Sequence, residues 1–175
     1  MSVHLPIQIV DENGGYIGLA AGPLEAIANK QIRAISRVTL SNPEGTHFLL
    51  QKRSSTMKRM PGMWDHSAAG HVDEGESAEE AAYREMSEEI GVRDCVLQLD
   101  DQMFREDPIE PDGGQNRTYN YFYSGIFDGD IKSLTLDPTE VSEVKWFSKS
   151  EILELIQAHP ESVTDGVKIY FKEAG

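Results

Sequence analysis

Positive charge is scarce in this chain: 16 Lys and Arg stand against 30 Asp and Glu in 175 residues, a formal net charge of −14. A general grip on nucleic acid or on an anionic membrane needs a basic surface, so neither is expected as a partner. The basic residues that exist include a local cluster, Lys52, Arg53, Lys58 and Arg59. Cysteine is nearly absent. Cys95 alone supports no internal disulfide framework and no Cys-rich zinc site. Beside Val96 and Leu97 it reads as a small hydrophobe on a strand. No apolar run approaches the about 20 residues that span a bilayer. The first ten residues, MSVHLPIQIV, lack the charged start and apolar core of a signal peptide, so a cytoplasmic location is expected. Repeats, low-complexity tracts and linkers are also missing. With 39% hydrophobic and 26% charged residues, the expectation is one folded domain over 1–175.

What is present alternates strand and helix signals. Leu5 to Val10 and Tyr16 to Ala20 flank the turn-rich Asp11-Glu12-Asn13-Gly14-Gly15, which predicts an N-terminal β-hairpin. Leu24 to Lys30 reads as a short helix. Strands are expected over Arg33 to Leu40, His47 to Arg53, Met63 to Ala69, Cys95 to Glu106, Arg117 to Phe127 and Val141 to Phe147. In Arg117 to Phe127, Tyr119, Tyr121 and Tyr123 alternate as on a half-buried strand. Ser77 to Ile90 is a helix with a capping-box start (Ser77, Glu80) and a glycine stop (Gly91). Ser148 to Ala158 is an amphipathic helix, and Val163 to Lys172 fits either a strand or a closing helix. The order predicts an α/β fold with a mixed sheet between helices.

The segment Gly70 to Val92, GHVDEGESAEEAAYREMSEEIGV, carries the chemistry. Glu85, Glu88 and Glu89 fall on one side of one helical turn, at spacings where like charges destabilise a helix unless a cation faces them. Hard divalent cations bind through carboxylates, substrate phosphates and water. Ala78, Ala81, Ala82, Met86 and Ile90 form the apolar side, read as opposite the carboxylates. Glu76 sits at the helix start, where negative charge is favoured. Arg84 lies beside the carboxylates and can orient one of them. Gly70 permits close backbone approach, and its carbonyl could reach a metal. A spare carboxylate could activate water.

Gly70, Glu76, Arg84, Glu85, Glu88, Glu89 and Gly91 fill every fixed position of G-x5-E-x7-R-E-U-x-E-E-x-G-U, with Met86 and Val92 in the apolar slots. The segment 70–92 therefore resembles the Nudix box without a departure, and the strands before it and Glu140 to Phe147 after it resemble a Nudix domain. The resemblance implies an α/β/α sandwich, here with residues 1–30 as an N-terminal extension. It implies Mg²⁺- or Mn²⁺-dependent hydrolysis of a nucleoside diphosphate linked to another moiety, a small-molecule substrate. It also implies metal ligation by Glu85, Glu88 and Glu89 with help from the Gly70 carbonyl, and an orienting pair Arg84 and Glu76. The catalytic base stays open among the box glutamates and residues of distant loops. Homodimers are common in that family, so one is allowed here.

Leu49 to Arg53, Pro61-Gly62-Met63-Trp64 and Gly70-His71 are similar to isopentenyl diphosphate isomerase, a Nudix-fold enzyme that moves protons on carbon. That enzyme uses a cysteine two residues before a histidine. Here the position is Ala69, which has no proton to exchange, while the box stays intact. The expectation is a hydrolase on an isomerase-like scaffold, with the isomerase and a non-catalytic diphosphate-binding module as alternatives. By the same likeness His71 becomes a candidate metal ligand. His4, His47, His66 and His159 read as structural or surface, Trp64 as core, and 107–116 as a surface loop or a lid. Glu140 and Glu143 are near-site candidates that spacing does not place.

Overall fold

The computed structural model describes residues 5–173, so His4 lies outside the described residues. The chain opens with an antiparallel hairpin of β1 (Ile7–Val10) and β2 (Tyr16–Ala20). Asp11 closes its turn: Oδ1 accepts the Asn13 and Gly15 amides at 2.8 and 2.9 Å. Gly14 takes φ 82°, a conformation glycine adopts without steric cost. The short helix α1 (Pro23–Ala28) follows.

The spine is β3 (Ile32–Ser41), buried over nearly its whole length. On one edge it runs parallel to β8 (Arg117–Ile126) for ten residues. Its other edge is shared in succession by β1, by β6 (Ala68–His71) and by β4 (His47–Arg53). β9 (Val141–Ser148) lines the outer edge of β4, the short β5 (Trp64–Asp65) continues the edge that β4 shares with β3, and β7 (Gln98–Glu106) covers the outer edge of β8. The result is a mixed sheet of nine strands among the described residues.

Period-two alternation distributes the two faces of β3. Ala34, Ser36, Val38 and Leu40 point to α2 (Ala78–Ile90). There they meet Ala81, Ala82, Met86 and Ile90, joined by Tyr119 and Tyr123 of β8. The opposite face carries Arg33, Ile35, Arg37 and Thr39 and is closed by α4 (Asp165–Glu173), whose Tyr170 ring stacks on Phe122. Beside α4, α3 (Lys149–Ala158) packs Ile152 and Ile156 on Leu50 and Phe147. Leu49 and Leu50 show the alternation in two residues: the first joins the α2 core, the second the α3–α4 core. Each such fully buried aliphatic stabilises the sandwich by about 1.5–3 kcal/mol.

Both predicted helix ends at α2 are present. Ser77 and Glu80 exchange reciprocal hydrogen bonds, and Gly91 ends the helix at φ 73°. The predicted strand 63–69 is instead two strands separated at His66-Ser67. The reason lies in side chains: Ser67 Oγ takes the Leu40 amide at 2.8 Å and gives its own proton to the Leu49 carbonyl at 2.5 Å. It thus fills the fork where β3 and β4 part. The strand expected from Cys95 starts only at Gln98. Cys95 is buried in an irregular segment, its thiol directed to the Ile126 carbonyl at 3.3 Å. The ambiguous segment 163–172 is helical from Asp165.

Candidate active site

Gly70 brings α2 against β6. A Cβ at this position would overlap the Glu85 carboxylate, so only glycine allows the contact. The close approach divides the three glutamates. Glu85 and Glu89 are buried on the flank of α2 that touches β6, whereas the Glu88 side chain is 59% exposed. The expected opposition of carboxylates and apolar side is therefore corrected: two of the three lie inside, next to Met86 and Ile90.

Glu89 Oε2 accepts the Gln51 side-chain amide at 2.5 Å and the Ala69 backbone amide at 3.1 Å. Burial raises its pKa well above the ordinary carboxylate value, and Glu85 and Glu140 raise it further. Glu85 is pushed up to about 7, by burial first and then by Glu140 and Glu88, against the pull of Arg84. Glu140 thus faces the pair, and Glu143 is exposed on β9. Arg84 is the counter-charge. Nε and Nη2 grip Glu76 at 3.0 and 2.6 Å, Nη1 reaches Glu85 at 2.7 Å and Glu88 at 3.4 Å, and Nη2 also donates to the His71 carbonyl at 2.9 Å. These contacts raise the Arg84 pKa, the Glu76 hydrogen bond contributing most. Glu76 in turn accepts the Asp73 amide at 2.8 Å, and Gln8 of β1 donates to the Asp73 and Glu76 carbonyls at 2.8 and 2.6 Å. The N-terminal hairpin therefore pins the loop that carries Glu76.

The backbone of β6 shows which carbonyl is offered. In an antiparallel ladder the N–H and C=O of one residue point the same way. Gly70 pairs with Ser36, and the Val72 amide bonds the Ala34 carbonyl, so Gly70 and Val72 face β3. The Ala69 amide and the His71 carbonyl face outward, to Glu89 and Arg84. The free carbonyl beside the glutamates is thus that of Ala69, not the Gly70 carbonyl expected from the sequence.

His71 is turned away from the glutamates. It shares a sheet face with Ile35, and its Nε2 lies 2.9 Å from Arg33 Nη1. Burial and the charges of Arg33, Arg37, Arg59 and Arg84 push its pKa down to about 3, so the ring is neutral. Below it, Arg37 donates to Asn120 at 2.9 Å, and Asp65 lies 3.9 Å from Arg37 and 3.2 Å from Arg53. His66 is fully buried, its Nδ1 2.8 Å from Thr39 Oγ1. The loop 107–116, read as a surface loop or lid, is a hydrogen-bonded hairpin tied to α1 through Gln115 and Ile27, and its Asn116 contacts Arg33. Lys52 lies over the Trp64 ring, and Trp64 is half-buried against Phe147. Sequence reading missed Gln51, Arg33, Arg37 and Asp65. The arginines left a signal: two cations four apart inside an otherwise buried strand, hence on one face.

Among the described residues, no three imidazole, thiol or carboxylate side chains are already gathered as a metal site, because Arg84 stands between Glu85 and Glu88. The donor set nevertheless fits a hard cation. Two buried, mutually repelling carboxylates, one exposed carboxylate and an outward carbonyl offer oxygen alone. No helix among the described residues is long and apolar enough to cross a membrane.

Comparison with known proteins identifies the family. Isopentenyl-diphosphate Delta-isomerase 2 of Photorhabdus laumondii is 30% identical over 165 residues, spanning 94% of this chain and 87% of that protein. An uncharacterized Nudix hydrolase of Pseudomonas aeruginosa is 30% identical over 123 residues, 70% of this chain and 67% of its own. A crystal structure from Deinococcus radiodurans superposes with a TM-score of 0.75 at 20% identity, covering 96% of this chain and 98% of that one, a likeness of fold. The NUDIX domain model matches residues 30–165. The chain belongs to the Nudix family.

Proposed function

We propose that this protein is a Mg²⁺- or Mn²⁺-dependent hydrolase that cleaves the pyrophosphate bond of a nucleoside diphosphate linked to another moiety, or of a related diphosphate. The observation that supports it most is the buried Glu85–Glu89 pair beside the outward Ala69 carbonyl, with alanine at the one position where an isomerase needs a thiol. Glu85, Glu88, Glu89 and the Ala69 carbonyl would hold the cation. When bound, the cation neutralises charge that develops on phosphate oxygens and orients the diphosphate. The chain's own residues do the rest. Gln51 and the Ala69 amide fix Glu89, and the Arg84–Glu76 pair fixes Glu85. The base that takes the proton of the attacking water stays open among the box glutamates and residues of distant loops.

The isomerase reading is favoured by the name of the Photorhabdus relative. Against it stands Cys95, whose thiol is engaged with the Ile126 carbonyl away from Ala69. A panel of nucleotide sugars, dinucleotides, coenzyme A and non-nucleotide diphosphates, followed by phosphorus NMR with Mg²⁺ or Mn²⁺, tests the proposal. Cleavage at a phosphorus, lost in Glu88→Gln, is the expected result. Tight binding without cleavage would leave a ligand-binding module, and interconversion of isopentenyl and dimethylallyl diphosphate would establish the isomerase.

A further inference from the structure

The face of β3 opposite α2 holds an excess of buried positive charge in an acidic protein. Arg33 is 4% exposed. Its Nη1 meets the His71 ring at 2.9 Å, and its Nη2 donates to the Asn116 amide oxygen. Its Nε is buried with no hydrogen-bond partner. Neither hydrogen-bond partner is an anion; Asp107, which accepts from the Asn116 amide, acts on Arg33 at longer range and offsets part of its charge. Nearby, Arg37 and Arg53 share the carboxylate of Asp65, at 3.9 and 3.2 Å, with Asp165 acting on Arg37 at longer range, and Arg59 adds a further cation from the loop 54–63. A buried charge compensated only in part and an orphaned buried N–H both cost stability, and a ligand that supplies the missing partner is one reason a fold retains them. Arginine's planar fork suits phosphate oxygens in particular.

This cluster of side chains also adjoins the glutamates. His71 contributes its ring to the Arg33 side of β6, while its carbonyl is held by Arg84 on the outer edge that also carries the Ala69–Glu89 contact. We propose that Arg33, Arg37 and His71 form an anion site that receives a phosphate group of the substrate beyond the groups gathered at the glutamates. The identity of the anion as the substrate's own phosphate rests on the hydrolase reading; the existence of the site does not. His71, expected from the sequence as a metal ligand, is assigned instead to position Arg33. Asn116 makes the hairpin 107–116 part of the same site.

The test measures thermal stability of the full chain, with EDTA present, against inorganic pyrophosphate, inorganic phosphate, acetate and chloride at equal ionic strength. Pyrophosphate is expected to raise Tm the most, phosphate less, and acetate and chloride not at all; an equal response to all four overturns the site. Arg33→Met removes the charge and the orphaned donor together. It should melt no lower than wild type in anion-free buffer, yet bind pyrophosphate at least about tenfold more weakly. A lower Tm with an unchanged pyrophosphate response would show that Arg33 only holds His71 and Asn116, and would overturn the proposal. Should Arg33→Met not fold, Arg33→Lys, which keeps charge but loses the fork, decides: a reduced pyrophosphate response supports the site and a full one overturns it. With substrate, the same variants should raise KM and leave kcat within about threefold, equivalent to less than about 1 kcal/mol in the barrier. Anion binding that persists in a protein without hydrolase activity would sink the hydrolase reading alone. Hydrolysis without metal-free anion binding would sink this site alone.

Discussion

Gln51 and Glu89 meet 2.5 Å apart in the interior, 38 residues apart in sequence, each almost wholly buried. An amide that donates to a buried carboxylate fixes its rotamer and offsets part of its desolvation. Gln51→Leu keeps the volume and removes the donor. The expected outcome is a fall in kcat of about 10–100-fold, with a matching loss of Mg²⁺ affinity, as found when partners of ligating groups are removed. Initial rates over a Mg²⁺ titration check it. Equal rates at all Mg²⁺ concentrations would mean that the Ala69 amide alone holds Glu89.

Gly70→Ala places a methyl group on the Glu85 carboxylate. Helix α2 and β6 must separate or Glu85 must leave its seat. Overpacking of this kind costs about 1–3 kcal/mol, visible as a lowered urea midpoint. Hydrolysis should fall more steeply than stability, because the Glu85 position is lost even in molecules that stay folded.

Metal dependence should vary with pH. Glu85, raised to about 7, and Glu89, raised in the same direction, hold protons in the folded state that the unfolded chain releases. Native protein then binds more protons than unfolded protein, so metal-free stability falls as pH climbs from the ordinary carboxylate range toward 7 and above. A divalent cation must displace those protons. The rise in Tm on adding Mg²⁺ should therefore be small near pH 5 and grow through pH 8. A flat increment across that range would contradict the carboxylate pair as the ligand.

His66 produces the opposite slope. It is fully buried and its pKa is lowered from 6.5 to about 4, with burial the main cause. A depressed histidine contributes stability that is complete above its unfolded pKa and is lost as pH falls through its folded pKa. Between pH 6.5 and 4 the loss is of order 3 kcal/mol. The carboxylates partly mask it in wild type, so the informative quantity is the stability difference between wild type and His66→Asn. That difference should shrink as pH falls from 7 to 4.

The helix 78–90 could be read to within one residue of its start because its caps, its apolar spacing and its charges are all local. Its carboxylates could not be sorted. Glu85 and Glu88 look alike in sequence, and only the contact with Gly70 decides which is buried. Gln51 gave no local signal, since an amide in a strand becomes a partner only when another element arrives. The orientation of the Gly70 carbonyl depends on the register of β6 against β3, which spacing within the box does not encode. The split of the 63–69 segment came from Ser67, a hydroxyl standing in for a backbone pairing between two other strands. The loop 107–116 was compositionally open, and its order follows from hydrogen bonds to α1 and Arg33.

The strand β3 serves two masters by parity. Its even residues build the hydrophobic seat of α2, and its odd residues display Arg33 and Arg37 to the opposite face. A one-residue shift of its register would exchange the two sets, sending guanidiniums into the helix core and Val38 and Leu40 onto the polar face. Point substitutions are far more forgiving, because each affects one side only. Drift along this strand can therefore change the charge of the opposite face through odd positions while the architecture, carried by even positions, stays put.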